Sequence, residues 1–193
     1  MSNRDDLMAA AKRRLRETGF TRTTARDLAG DAGVSLAAIG YHFGSKEALL
    51  SQAMIEATAD WVHDLEAALA SEIDPTAPLA TRFETIWTRI LEVGAANRQI
   101  WAANFEVSPY IDTMPEVREV MAAAQEKARE GLAELFQGAV RPTDPAADRA
   151  VGAFHYALMT GVLAQWLIDP ERAPTAKELT RALKIIAADV TGS

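Results

Sequence analysis

Apolar residues recur along this chain at intervals of three and four, the spacing that gathers one face of an α-helix, almost from end to end. From Asp5 to Thr18 the stripe is Leu7, Ala11 and Leu15, broadened by Met8 and Ala10, with Lys12, Arg13, Arg14 and Arg16 on the outer face. Gly19 is suited to the left-handed residue that ends a helix, and Phe20 is placed to fold back on Leu15. Residues 21–47 then predict two short helices around a tight turn. Thr24 and Asp27 stand three apart as a capping box, and Leu28, Ala29 and Ala32 make a small apolar face. Gly33 closes that helix, because glycine takes the left-handed conformation without steric cost. Val34 fills the turn and Ser35 is predicted to cap the next helix, which carries Ala37, Ala38, Ile39, Tyr41, His42 and Phe43 as far as Gly44. Ser45 caps a third helix, and Arg4, ahead of Asp5, reads as part of a flexible basic arm that can reach a DNA groove or a phosphate.

The helical period continues beyond the head. A long helix runs from Ser45 to about Glu72, with Leu49, Met54, Trp61, Leu65 and Leu69 among its apolar positions, and residues 73–78 break it. Further helices are predicted at about 78–93, about 97–107 and 116–137, with the prolines at 109 and 115 bracketing a loop. Residues 141–145 read as a linker, followed by helices at about 146–168 and 175–190. No stretch alternates with period two for long enough to make a sheet. The expected fold is all-α, about nine helices, with a three-helix head at 1–46 that contains a helix-turn-helix and a larger helical domain at 47–193.

Charge sharpens this division. The whole chain carries −7, which argues against a nucleic-acid binder, yet residues 1–46 hold eight basic and five acidic side chains. The head is therefore +3 and the remainder −10. A basic head on an acidic body is the footprint expected of a DNA-binding segment. There is no cysteine, and the three histidines, His42, His63 and His155, have no metal-ligand spacing, so no metal or cofactor is expected. No HExxH or GxSxG motif is present; residues 40–46 resemble a phosphate loop but are one residue short and follow no strand. The N-terminus lacks an apolar signal core, which implies a cytoplasmic protein. Ala150–Ile168 is nineteen residues without a formal charge, close to a membrane span, but His155, Tyr156, Thr160 and Gln165 interrupt it and it has no positive flank.

The pattern over Gly19-Phe20, Thr23-Thr24, Leu28-Ala29, Ala32-Gly33-Val34-Ser35, Tyr41-His42-Phe43 and Ser45-Lys46-Glu47-Ala48-Leu49 resembles the DNA-binding domain of the Tet repressor (TetR) family of bacterial transcription regulators. The likeness covers about the first fifty-five residues. It implies a regulator, expected to be a repressor, that binds a double-stranded DNA operator as a homodimer and answers to a small-molecule effector; an activator of the same fold, or a small all-α enzyme or carrier, is the alternative. It places Arg26, Leu36, Ala37 and Ala38 at or near base edges, and Thr24, Ser35, Tyr41, His42 and Lys46 complete the expected DNA-facing set. Lys46 lies in a helix's first turn, where the dipole disfavours a cation, so a phosphate site is its functional reading. The family carries a phosphate-touching tyrosine where this chain has Gly40, leaving Tyr41 or His42 to replace that contact, or leaving it unmade.

The family's last two helices pair with a second subunit, and Ala153, Ala157, Gly161 and Ala164 form a stripe of small residues that suits such a close approach. For the effector, Trp61, Phe83, Trp87, Trp101, Phe105 and Met121 are candidate walls, with Asn104, Glu106, Tyr110, Gln125 and His155 as orienting polar groups. A largely apolar or aromatic ligand is the expectation.

Overall fold

In the computed structural model, which describes residues 2–74, 76–137 and 144–192, α1 (Asn3–Glu17) begins earlier than its apolar stripe. Ser2 is its cap: the Ser2 hydroxyl accepts from the Asp5 N–H at 3.3 Å, and the Asp5 carboxylate accepts from the Ser2 N–H at 3.1 Å. Arg4 thus sits in the first helical turn and not in an arm. At the other end the Thr18 and Gly19 N–H groups both donate to the Arg14 carbonyl, with Gly19 at φ +83°. Then follow α2 (Ala25–Ala32), α3 (Ala37–Phe43), α4 (Lys46–Ala70), α5 (Leu79–Ala96), α6 (Arg98–Glu106), a single 3-10 turn at Ser108–Tyr110, α7 (Pro115–Gln137), α8 (Pro145–Ile168) and α9 (Ala176–Thr191). The described residues contain no strand, and the all-α expectation is borne out. Pro75 and residues 141–143 of the expected linker lie outside the described residues.

The entry to α3 departs from expectation. Leu36, not Ser35, precedes the helix, already at helical φ −56° and ψ −34°, and no side chain caps it. The Ala38 and Ile39 N–H groups instead donate to the Ser35 and Leu36 carbonyls at 3.0 and 3.3 Å. These three-residue bonds tighten the first turn with backbone acceptors, leaving the Ser35 hydroxyl outside the cap. Ser45 does cap α4, its hydroxyl accepting from the Ala48 N–H at 3.0 Å.

The chain divides into two compact units. The first is Met1–Val62 with Asn97–Gln125, and its core gathers Leu7, Leu15, Phe20, Leu28 and Ile39 from the head with Leu49, Met54, Ile100, Ala103, Val107 and Val117. Each large side chain so buried is worth about 1.5–3 kcal/mol of transfer free energy, which lets helices of seven and eight residues stand. The second is His63–Ala96 with Glu126–Ser193, where α5 lies along α9 and the buried residues include Phe83, Ile86, Trp87, Ile90, Phe136, Met159 and Leu163. Within it α8 comes up against α7 at Gly152, where a Cβ would stand only 2.9 Å from the Arg129 carbonyl carbon.

Candidate nucleic-acid interface and effector site

The helix-turn-helix is held from several sides. Thr24 and Asp27 form the expected capping box: the Thr24 hydroxyl accepts from the Asp27 N–H at 3.2 Å, and the Asp27 carboxylate accepts from the Thr24 N–H at 3.0 Å and hydroxyl at 2.6 Å. Those hydrogen bonds from Thr24 hold the Asp27 carboxyl below its ordinary range. Gly33 takes φ +66° and turns the chain into Val34, whose N–H donates back to the Ala29 carbonyl at 3.0 Å. Arg14 grips Asp31 with a two-pronged fork, Nε to Oδ2 at 2.6 Å and Nη2 to Oδ1 at 2.8 Å, which ties α1 to the end of α2 and lowers the Asp31 pKa. The buried Thr23 hydroxyl donates to the Gly19 carbonyl at 2.7 Å and lies 2.9 Å from the Thr18 hydroxyl.

Two side chains from later helices close on the same approach to α2. The Lys46 ammonium donates to the Thr23 carbonyl at 3.1 Å and pairs with Glu47 at 3.2 Å. Glu106, the last residue of α6, accepts the Thr21 N–H at 2.7 Å and the Thr21 hydroxyl at 2.8 Å. The sequence suggests Lys46 as a phosphate ligand alone and Glu106 as a ligand-orienting group; both are engaged in fixing the entry to α2. Nothing in the sequence pairs Thr21 with a residue 85 positions away.

The outward face is made by what remains. Arg26 is exposed and has no ion pair among the described residues. Thr24, Ser35, Leu36 and Ala37 are exposed, Tyr41 is 86% exposed, and His42 is half-buried with its ring edge-to-face on Tyr41 at 4.9 Å. Ala38 departs from the base-edge expectation: it is only 9% exposed and packs into the core beside Ile39 and Phe43. Gly40 is exposed, and a Cβ there would meet nothing within 4 Å. This surface offers one unpaired guanidinium, two apolar side chains and a run of hydroxyl and ring groups. Such a surface can bond a guanine edge, touch a thymine methyl and meet backbone phosphates.

The expected effector residues fall into two clusters. In the first unit, Trp61 and Trp101 meet edge-to-face at 4.8 Å, both indole N–H groups buried without an acceptor among the described residues, while Met121 packs on that unit's core. Phe105 is 42% exposed, turned outward from that core, and the Asn104 amide is taken up by the Ile100 carbonyl at 3.0 Å. In the second unit, Phe83, Trp87 and His155 join Phe136, a residue of the helix predicted at 116–137 that the sequence reading did not single out. Phe136 and His155 stack at 4.0 Å and 5°, with Phe83 5.4 Å from Phe136. Trp87 Nε1 and His155 Nδ1 are buried without a partner among the described residues, and burial holds the His155 pKa down at about 4, so the imidazole is neutral near pH 7. The same unit has a cleft of about 390 Å³ lined by Glu72, Thr81, Glu84, Thr85, Arg89 and Lys184, none of them an expected effector residue.

Residues 7–53 match the family described as bacterial regulatory proteins, tetR family. The chain is 28% identical over 178 residues to the HTH-type transcriptional regulator TtgR of Pseudomonas putida, covering 87% of this chain and 81% of that one. Its fold is that of the multidrug binding protein EbrR, solved with imidazole, at a TM-score of 0.66, 24% identity and coverage of 95% and 93%. It is also that of a tetR-family transcriptional regulator from Streptomyces coelicolor, at a TM-score of 0.65, 18% identity and coverage of 97% and 82%. Residues 7–53 thus carry a tetR-family DNA-binding domain, and most of the chain is similar to a transcriptional regulator that bears one.

Helices α8 and α9 each present apolar side chains that no described residue covers. Helix α8 packs inward through Gly152, His155, Met159, Val162 and Leu163. On its other side Ala157 and Gly161 are exposed, Ala153 and Ala164 are half-buried, and a Cβ at Gly161 would meet nothing within 4 Å. Phe154 and Ile168 add to that surface, and α9 exposes Ile185, Ile186 and Val190, the last at 81%. By length and composition α8 could cross a membrane, with a mean hydropathy of 1.3 and 28% of its most apolar window buried.

Proposed function

We propose that this regulator is a repressor that binds a palindromic operator as a homodimer and is released from it by a small, largely apolar ligand. The observation that carries the DNA-binding part is the division of labour in the head. Arg14, Asp31 and Glu106 are spent on holding α2 and Lys46 commits one hydrogen bond to it, while Arg26, Leu36, Ala37 and Tyr41 are left outward. In this reading residues 1–46 are the DNA-binding domain and 47–193 the ligand-binding and dimerisation domain. Arg26 takes a guanine edge, and Leu36 and Ala37 contact thymine methyls. Thr24, Ser35, Tyr41 and His42 meet phosphates, and Lys46 gives one of its three ammonium protons to a phosphate beside Thr23 and Glu47. A cytoplasmic protein follows from a role on DNA.

Dimerisation is supported by the uncovered stripe Ala153, Ala157, Gly161 and Ala164 with the exposed apolar side chains of α8 and α9. Two heads related by a twofold axis read two half-sites a helical turn, or a multiple of one, apart. Effector binding is supported by the aromatic cluster of Phe83, Trp87, Phe136 and His155, whose two unpartnered polar atoms suit a neutral planar molecule with a hydrogen-bonding edge. Trp61, Trp101, Phe105 and Met121 remain candidate contacts. EbrR has been solved with proflavin, a planar aromatic compound, and shares this fold. The ligand acts only by binding better to an arrangement whose head spacing mismatches the operator.

Fluorescence anisotropy of the full-length protein with the DNA flanking its own gene tests the reading. Saturable binding that survives scrambled competitor at about 0.15 M salt, with a salt slope reporting several phosphates, supports it. Binding that scrambled DNA abolishes would refute sequence recognition at that site. A panel of neutral planar aromatics that never shifts the DNA affinity would remove the inducer part alone.

A further inference from the structure

Arg4 occupies an electrostatically poor position, the first turn of α1, where the helix dipole disfavours a cation. It is exposed and forms no ion pair among the described residues. The acids around it are already committed: Asp5 caps α1 through Ser2, and Glu56 and Asp60 both pair with Lys12 at 3.1 Å. What holds Arg4 is an aromatic ring, since its guanidinium carbon lies 5.2 Å from the centroid of Phe43. Phe43 is the last residue of α3, and its ring ends a row in which Tyr41 meets His42 at 4.9 Å and His42 meets Phe43 at 6.4 Å. An unneutralised cation is therefore pinned at the C-terminal end of the helix proposed to read DNA, beside the two side chains proposed to meet phosphates.

The geometry points to Arg4 as a further DNA contact, a phosphate ligand held ready by Phe43 at the edge of each half-site. The inference rests on the DNA-binding reading above. A guanidinium lying on a ring keeps its N–H edge free, and that planar edge matches a phosphate's oxygens. Because the ring restricts the side chain before DNA arrives, less freedom is lost on binding than for a lysine in solvent. The contact carries no base preference, so it adds affinity and salt dependence and leaves sequence choice to Arg26.

The test uses the full-length protein, its Arg4→Gln and Arg4→Lys variants, and two duplexes: the DNA flanking its gene and a scrambled version of it. Affinity is measured across a fourfold range of potassium chloride, and melting is followed in parallel. A lost phosphate contact removes about 0.9 from the slope of log affinity against log salt per head, hence about 1.8 for a dimer on two half-sites. Over that salt range Arg4→Gln loses about twelve-fold less affinity than the wild type. The reduction is the same on both duplexes, Arg4→Lys keeps the wild-type slope, and Arg4→Gln melts no lower than the wild type. A wild-type slope in Arg4→Gln overturns the inference and leaves the DNA-binding reading intact; if melting falls as well, Arg4 only supports the fold. A wild type that binds neither duplex at any salt sinks the DNA-binding reading and this inference with it.

Discussion

His155 ties the inner face of α8 to protonation, and the effect can be worked through. Its ring stacks on Phe136 at 4.0 Å and Nδ1 has no partner among the described residues, so burial penalises the charged imidazolium and lowers the pKa from the ordinary 6.5 to about 4. In the unfolded chain the same group takes a proton at its ordinary pKa, so the unfolded state binds more protons throughout the interval between the two values. The folding stability contributed by the neutral ring is whole above pH 6.5 and is lost as the pH falls through that interval to about 4. Linkage sets the loss at about 2 kcal/mol between pH 7 and pH 5, and about 3 kcal/mol once both states are protonated. Urea unfolding of the wild type and of His155→Phe at pH 7 and pH 5 isolates it. The phenyl ring keeps the stack and removes the titration, while the capping and paired carboxylates titrate alike in both proteins. The stability gap should move by about 2 kcal/mol in favour of the variant on going to pH 5. A gap that does not change with pH would refute the neutral, desolvated imidazole.

The glycine contact between α7 and α8 gives a paired prediction. Gly152→Ala places a methyl against the Arg129 backbone, whereas Gly131→Ala on α7 meets nothing within 4 Å. Alanine's better helix propensity makes Gly131→Ala about 1 kcal/mol more stable; overpacking by about 1–3 kcal/mol makes Gly152→Ala a net loss, and thermal melts in opposite directions check the pair. Arg26→Ala should narrow the preference for operator over scrambled DNA by about 1–3 kcal/mol, while Lys46→Ala should weaken both sequences alike and reduce the salt slope; competition anisotropy separates the two. Ile186→Glu, on the exposed face of α9, should shift the protein toward monomer in sedimentation equilibrium with an unchanged helical spectrum. An unchanged mass would mean that the dimer uses another surface.

What the sequence made legible was local. The capping box of Thr24 and Asp27, the left-handed glycines at 19 and 33, and the serine cap of α4 all come from residues a few positions apart, and helix ends are set by such short-range bonds. Ser35 fits the same residue preference, but three-residue backbone bonds occupy its place. Ala38 departs from the base-edge expectation for a geometric reason: consecutive residues on a helix are about 100° apart, so Leu36, Ala37 and Ala38 cannot share one face, and Ala38, Ile39 and Phe43 turn inward. Arg14 with Asp31 and Thr21 with Glu106 lie 17 and 85 residues apart, and no periodicity encodes such pairs. The aromatic residues were legible as apolar and helical, yet their separation into a Trp61–Trp101 pair and a Phe83–Trp87–Phe136–His155 cluster emerges only from packing. Lys46 stands out in the sequence as a misplaced charge; its partner, the Thr23 carbonyl, belongs to the backbone and has no sequence signature.

The central claim is that two copies of the α2–turn–α3 unit read one operator. Hydroxyl-radical footprinting of the full-length protein on the DNA flanking its gene tests it most directly. The account predicts two protected patches related by a dyad, their centres one helical turn or a multiple of about 10 base pairs apart, both lost in Arg26→Ala against competitor DNA. A single protected patch, or uniform protection that Arg26→Ala leaves unchanged, would contradict it.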